Sequence, residues 1–241
     1  MSDFAYVSQN LQAVLGAILR ESKLATQSRV PRLVAVSKTF PAEAIVAAYN
    51  EGQRHFGENY IQELATKSEA LQTQCPDIRW HYIGHIQSNK IKQLAKIPNL
   101  SYIETIESVK HAEILQSALN DLNKTVNVFL QVNTSGEEGK GGVDMEKVVE
   151  IAKEIVNSAP KINLAGLMTI GSINESQRED ENADFVRLVK ARKDVALSLG
   201  RAEEDLELSM GMSSDYLVAI KSGSTNVRVG SSIFGNRVYK K

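Results

Sequence analysis

Lys38 stands just after a short apolar run, Leu33-Val34-Ala35-Val36-Ser37, and just before Thr39, Phe40 and Pro41. A run that is apolar at nearly every position reads as a strand buried on both faces, as in parallel sheets. A lysine at the C-terminal lip of such a strand must keep its ammonium in water, pair it, or give up its proton. With a lowered pKa it becomes a nucleophilic amine, the group that forms Schiff bases with aldehydes. The alternative is a lysine snorkelling at a sheet edge, and this segment alone leaves both open.

Two glycine-serine turns near the C-terminus add a different chemistry. Gly211-Met212-Ser213-Ser214 and Gly230-Ser231-Ser232 each precede a helical pattern. Glycine lets backbone N–H groups approach an anion, serine hydroxyls donate to it, and a helix start adds favourable partial charge. One such turn is an ordinary helix cap, with Ser213 expected to cap a helix over 214–222; two at successive strand ends suggest a phosphate site. Arg228 lies between Val227 and Val229. Alternation along a strand points it inward if the valines face helices. A guanidinium that cannot deprotonate then needs a partner, either a ligand or a buried acid such as Glu58 or Glu104. His81 and His85 are four apart on a strand with no third ligand in view, so no metal site is expected. Segment 136–142 lacks the ending of a nucleotide P-loop and reads as a mobile loop.

These residues need a scaffold that brings strand ends together. Eight short apolar runs, 33–37, 54–57, 79–84, 101–105, 126–132, 162–170, 206–210 and 227–230, alternate with helical patterns. Phe4, Val7, Leu11, Val14, Leu15 and Ile18 add an N-terminal amphipathic helix within 1–30. Eight β/α repeats imply an α/β fold, a single (β/α)8 TIM barrel over 1–241, with function at the strands' C-terminal ends. The competing doubly wound sheet calls for a glycine-rich fingerprint after the first strand, which 37–41 lacks.

Composition narrows the class. The 241 residues are 42% hydrophobic and 24% charged with a net charge of −1, which argues against a nucleic-acid binder. No apolar run reaches the roughly 20 residues a membrane span needs. The lone Cys75 excludes an internal disulfide, fits a reducing compartment and reads as structural. The expectation is a cytoplasmic protein. A mitochondrial leader is the weaker reading, because Asp3 and Glu21 break its acid-poor pattern.

Six segments together resemble a known family. They are Leu33-Val34-Ala35-Val36-Ser37-Lys38-Thr39, His55-Phe56-Gly57-Glu58-Asn59-Tyr60, Trp80-His81-Tyr82-Ile83-Gly84-His85-Ile86-Gln87-Ser88-Asn89-Lys90, Gly166-Leu167-Met168-Thr169-Ile170-Gly171, Leu208-Ser209-Met210-Gly211-Met212-Ser213 and Gly223-Ser224-Thr225-Asn226-Val227-Arg228-Val229-Gly230. They are similar to the pyridoxal phosphate homeostasis proteins, called YggS in bacteria, with His85 and 168–171 closer to eukaryotic members. The resemblance implies a barrel of the alanine racemase N-terminal type without that enzyme's second domain. It implies pyridoxal 5′-phosphate held as an aldimine on Lys38, phosphate held by Ser213, Gly230 and Ser231, Arg228 facing the ring nitrogen, and Asn59 and Met212 nearby. An arginine there weakens the ring as an electron sink. The expected role is a monomeric, non-enzymatic carrier that serves vitamin B6 homeostasis and passes cofactor to apo-enzymes. The alternatives are a racemase-like enzyme acting on amino acids and, from lysine, phosphate turn and barrel alone, a Schiff-base aldolase.

Overall fold

The computed structural model describes residues 4–178 and 180–236. Asp3 and the 237–241 end of the expected single unit lie outside the described residues. Eight parallel strands close into a ring. They are β1 (Arg32–Val36), β2 (His55–Glu58), β3 (Arg79–Tyr82), β4 (Leu100–Ile106), β5 (Val126–Asn133), β7 (Ile162–Met168), β8 (Glu207–Ser209) and β9 (Asn226–Val229). Each pairs with the next, β4 with β5 and β5 with β7, and β9 returns to β1 with Val34 opposite Arg228. A two-residue strand, β6 (Val143–Asp144), adds to β5 outside the ring.

The helices alternate with the strands as the apolar periodicity requires. They are α1 (Ala5–Leu24), α2 (Ala42–Asn50), α3 (Ile61–Leu71), α4 (Ile91–Ala95), α5 (Val109–Leu122), α6 (Val148–Ser158), α7 (Ala183–Leu199), α8 (Tyr216–Lys221) and α9 (Ser231–Phe234). Ser108 caps α5 by accepting from the His111 N–H. The N-terminal helix docks as its pattern demands, burying Val7, Leu11, Val14 and Ile18. Tyr6 and Asn10 donate to the carbonyls of Phe234 and Ile233, tying α1 to the turn beside the last strand.

The main apolar core fills the layer between strands and helices, where Phe56, Trp80, Ile103, Val128 and Leu208 meet Leu64, Leu115, Ile155 and Leu188. A smaller apolar group, Phe129, Ala165 and Met168 with Tyr102 against it, sits apart from that layer.

Three expectations change. Expected strands over 79–84 and 162–170 stop at Tyr82 and Met168, because the chain turns out of the barrel there. At Gly84 a Cβ would sit 1.9 Å from the Asn59 carbonyl oxygen, so only glycine fits where the chain leaving β3 passes the end of β2. The short α4 was not expected. Ser213 does not cap α8, whose N-cap is Asp215; its hydroxyl reaches across to the next strand end instead.

Candidate cofactor site

Six of the seven expected site residues line one cleft at the C-terminal end of the barrel. Lys38, Met212, Ser213, Arg228, Gly230 and Ser231 surround a volume of about 340 Å³, together with Phe40 and Ile83. Asn59 lines the neighbouring cleft beside Tyr82 and His85, and its buried Oδ1 has no hydrogen-bond partner among the described residues.

Lys38 is half-buried, two residues beyond β1. The turn that carries it is held from both sides. The Ser37 N–H donates to the Gly57 carbonyl at 3.0 Å. The Ser37 hydroxyl donates to Glu58 Oε1 at 2.6 Å. Lys67 Nζ donates to the Ser37 carbonyl at 2.8 Å and to Glu58 and Glu63 at 2.7 Å each. The Thr39 N–H donates to Glu63 at 2.7 Å, and Thr39 takes φ +68°, a conformation unusual for a β-branched residue. Burial pushes the Glu58 carboxyl up to about 7 against the pull of Lys67. This cluster corrects one expected pairing. A Cβ at Gly57 would face the inward-pointing Val34 and Val36, so Glu58, the next residue, points outward to α3 and cannot meet Arg228.

Arg228 is 4% exposed. Its Nη1 donates to Ser209 Oγ at 2.5 Å and its Nη2 to the Thr169 carbonyl at 2.8 Å. Glu104 Oε2 lies 3.9 Å away, so the second expected acid is its charge partner. Burial lowers the guanidinium's pKa from its ordinary value, with Glu104 and Asp215 opposing.

The two glycine-serine turns face each other. The Gly230 N–H donates to Ser213 Oγ at 3.1 Å. Asp215 Oδ1 accepts from the Met212 N–H at 2.7 Å, and the Gly211 carbonyl accepts from the Arg228 N–H at 3.0 Å. Gly211 takes φ +97°, and a Cβ there would lie 2.6 Å from the Ala219 Cβ and 3.0 Å from the Tyr216 α-carbon, a place closed to larger residues. A Cβ at Gly230 would lie 3.1 Å from the Val36 carbonyl oxygen and 3.3 Å from the Val36 Cβ, so the backbone at 230 packs closely on the end of β1, where a larger residue would push it away.

The remaining candidates lie elsewhere in the molecule. His81 is fully buried and bonded to His55 and Glu104, while His85 lies on the exposed rim, 3.7 Å from Glu107. Among the described residues no three histidine, cysteine or acidic side chains are grouped to hold a metal ion. The 136–142 loop is tied down: Gln131 donates to the Gly141 carbonyl, the Gly142 N–H to Glu107, and Lys140 to the Gly171 carbonyl. Cys75 is buried, which pushes its thiol up. Among the described residues no helix is long and apolar enough to cross a membrane.

Sequence reasoning missed Lys67, Glu63, Ser209 and Asn226. Lys67 carried a usable signal, since it sits in the inward stripe of α3 with Leu64, Ser68 and Leu71.

The family model for the alanine racemase N-terminal domain matches residues 11–238. The chain is 49% identical over 231 residues to the pyridoxal phosphate homeostasis protein of Schizosaccharomyces pombe, covering 96% of this chain and 94% of that one. It is 44% identical over 237 residues to that of Caenorhabditis elegans, covering 97% of each. The chain belongs to the pyridoxal phosphate homeostasis protein family. Among solved structures, PipY of Synechococcus elongatus with PLP bound matches with a TM-score of 0.70, 34% identity and coverage of 91% and 100%. The alanine racemase of Corynebacterium glutamicum, 17% identical, shares the fold with a TM-score of 0.63; this chain spans 63% of its length. A pyridoxal phosphate homeostasis barrel thus stands here with a lysine, an arginine and two glycine-serine turns on one cleft.

Proposed function

We propose that this cleft binds pyridoxal 5′-phosphate covalently through Lys38, and that the protein holds the cofactor and passes it to apo-enzymes. The observation that carries the reading is the meeting of Lys38, Arg228, Ser213, Gly230 and Ser231 on one cleft. The fit can be tested against the donor set. A phosphate needs close backbone approach and several donors. The side-chain-free backbone at Gly230, the hydroxyls of Ser213 and Ser231, and the N–H groups opening α9 supply them.

Pyridoxal phosphate brings an aldehyde that condenses with an amine, and a ring that stabilises carbanions when its nitrogen is protonated. The side chains around the cleft decide how that chemistry is used. Lys38 supplies the amine on a turn fixed by Lys67, Glu58 and Glu63. Arg228 can donate but not accept, and it stays charged. A ring nitrogen set against it would be kept an unprotonated acceptor, which would suit storage better than turnover. Phe40 and Ile83 cover the apolar side of the cleft and limit water.

Ser231→Ala is expected to weaken cofactor retention about 10- to 100-fold, the loss of one charge-assisted hydrogen bond. Gly230→Val is expected to weaken it further, because its side chain collides with Val36 and displaces the turn. Equilibrium dialysis measures both, and unchanged affinity in both variants would remove the phosphate site. For the carrier role, loaded protein is mixed with an apo-enzyme that needs the cofactor. Activation faster than by released free cofactor is expected. Rapid exchange of amino-acid Cα protons with solvent, at roughly 1–1000 per second, would replace the carrier with an enzyme.

A further inference from the structure

An unbroken line of hydrogen bonds runs through the barrel interior to Arg228. His55, at the first position of β2, has Nδ1 2.8 Å from His81 Nε2. His81 Nδ1 is 2.5 Å from Glu104 Oε1. Ser209 Oγ donates to Glu104 Oε2 at 2.6 Å, and Arg228 Nη1 donates to Ser209. Asn226 Nδ2 donates to both Glu104 and Ser209. Glu104 and His81 are fully buried.

The direction of the line comes from chemistry. Burial lowers the His81 pKa, with Glu104 opposing, and holds His55 down to about 3. Burial pushes Glu104 up, but His81, Arg228 and Ser209 outweigh it and keep its carboxyl below the usual range. A carboxylate only accepts, so His81 donates through Nδ1 and accepts from His55 through Nε2. Glu104 is thus a saturated anion reached by His81 from β3, Ser209 from β8, and Asn226 and Arg228 from β9. Beyond them lie His55, Tyr102 and the Arg32–Glu207 pair at the strands' N-terminal end. A saturated buried acid 3.9 Å from a buried guanidinium does more than fill space.

We infer that Glu104 is a positioning residue for the ligand site. Through Ser209 it fixes where the Arg228 guanidinium sits, and by its charge it sets how readily a bound cofactor's nitrogen atoms hold protons. This rests on the reading that pyridoxal phosphate is bound at Lys38 with its ring towards Arg228.

The test uses loaded parent, Glu104→Gln and Ser209→Ala. The pH midpoint of the cofactor's visible absorbance is titrated, affinity is measured by dialysis, and borohydride trapping counts cofactor on Lys38. Glu104→Gln keeps the shape and removes a negative charge, so the midpoint is expected to fall by about half a unit or more, with one equivalent still trapped on Lys38. Ser209→Ala leaves the Arg228 head held by the Thr169 carbonyl alone and is expected to weaken retention about 3- to 10-fold, the loss of one hydrogen bond, with a smaller midpoint shift. A merely structural role for Glu104 would lower stability and leave the midpoint in place. Midpoint and affinity equal to the parent's in both variants overturn the role of Glu104. Should Glu104→Gln fail to fold, Ser209→Ala, which deletes one hydroxyl, decides alone. A parent that traps no cofactor on Lys38 overturns the site reading instead.

Discussion

On the helix-facing side of the strands, Phe56, Trp80, Ile103, Val128 and Leu208 are buried among leucines and isoleucines. On the inner side, His55, His81, Glu104, Ser209 and Arg228 are joined by directed hydrogen bonds. The outer layer is stabilised by apolar area, which has no direction and tolerates rearrangement. The inner column depends on each partner being present, because a buried polar group left alone costs far more than its bond contributes. One set of strands therefore carries two kinds of stability, and the directional kind ends at the ligand cleft.

The largest effects test that contrast by deletion. Trp80→Ala in the outer layer is expected to lower unfolding free energy by about 3–5 kcal/mol through a cavity. Glu104→Leu in the column is expected to cost a comparable 3–5 kcal/mol or so, for a different reason, since it leaves Arg228 buried without its charge partner and His81 without its acceptor. Pairing separates the two. Trp80→Ala combined with a distant outer truncation such as Leu188→Ala adds up. Glu104→Leu combined with Arg228→Met is expected to cost less than Glu104→Leu alone. Denaturant unfolding of these variants and the parent measures this, and additive loss in the column erases the distinction.

A smaller effect concerns pH. The unfolded chain protonates His55 near pH 6.5, but the folded chain only at about 3, so acidification within that window favours unfolding. Glu58 runs the other way. Its folded carboxyl protonates at about 7 against 4.5 when unfolded, so its contribution to stability falls as pH rises between those values. Glu58→Gln is expected to gain on the parent by roughly 2 kcal/mol between about pH 5 and about pH 8. A pH-independent difference between variant and parent would show that Glu58 is ionised throughout.

The outer layer was largely legible in the sequence. Helical stripes such as Val7, Leu11, Val14 and Ile18, and runs such as 33–37, report burial directly, because apolar burial depends on residue type and period. Strand ends were less legible. They depend on contacts between segments far apart in sequence, as where Gly84 meets Asn59. In the site, Lys38, Arg228 and the two glycine-serine turns stood out as costly or permissive residues at strand ends. The column did not. His55, Ser209 and Asn226 are ordinary residues singly, and their meaning lies in a register that sets Ser209 beside Asn226 on the adjacent strands β8 and β9. Asn59 lines the neighbouring cleft, so its expected role remains a proposal.

The most direct measurement of the central claim is to trap the bound cofactor. Purified protein saturated with pyridoxal phosphate is reduced with borohydride, digested and mapped by mass spectrometry, alongside Lys38→Ala. The account predicts about one equivalent on the Lys38 peptide, and loss of the reducible visible band in a variant that still folds. A full equivalent on another lysine, with Lys38→Ala retaining the band at full amplitude, would contradict it.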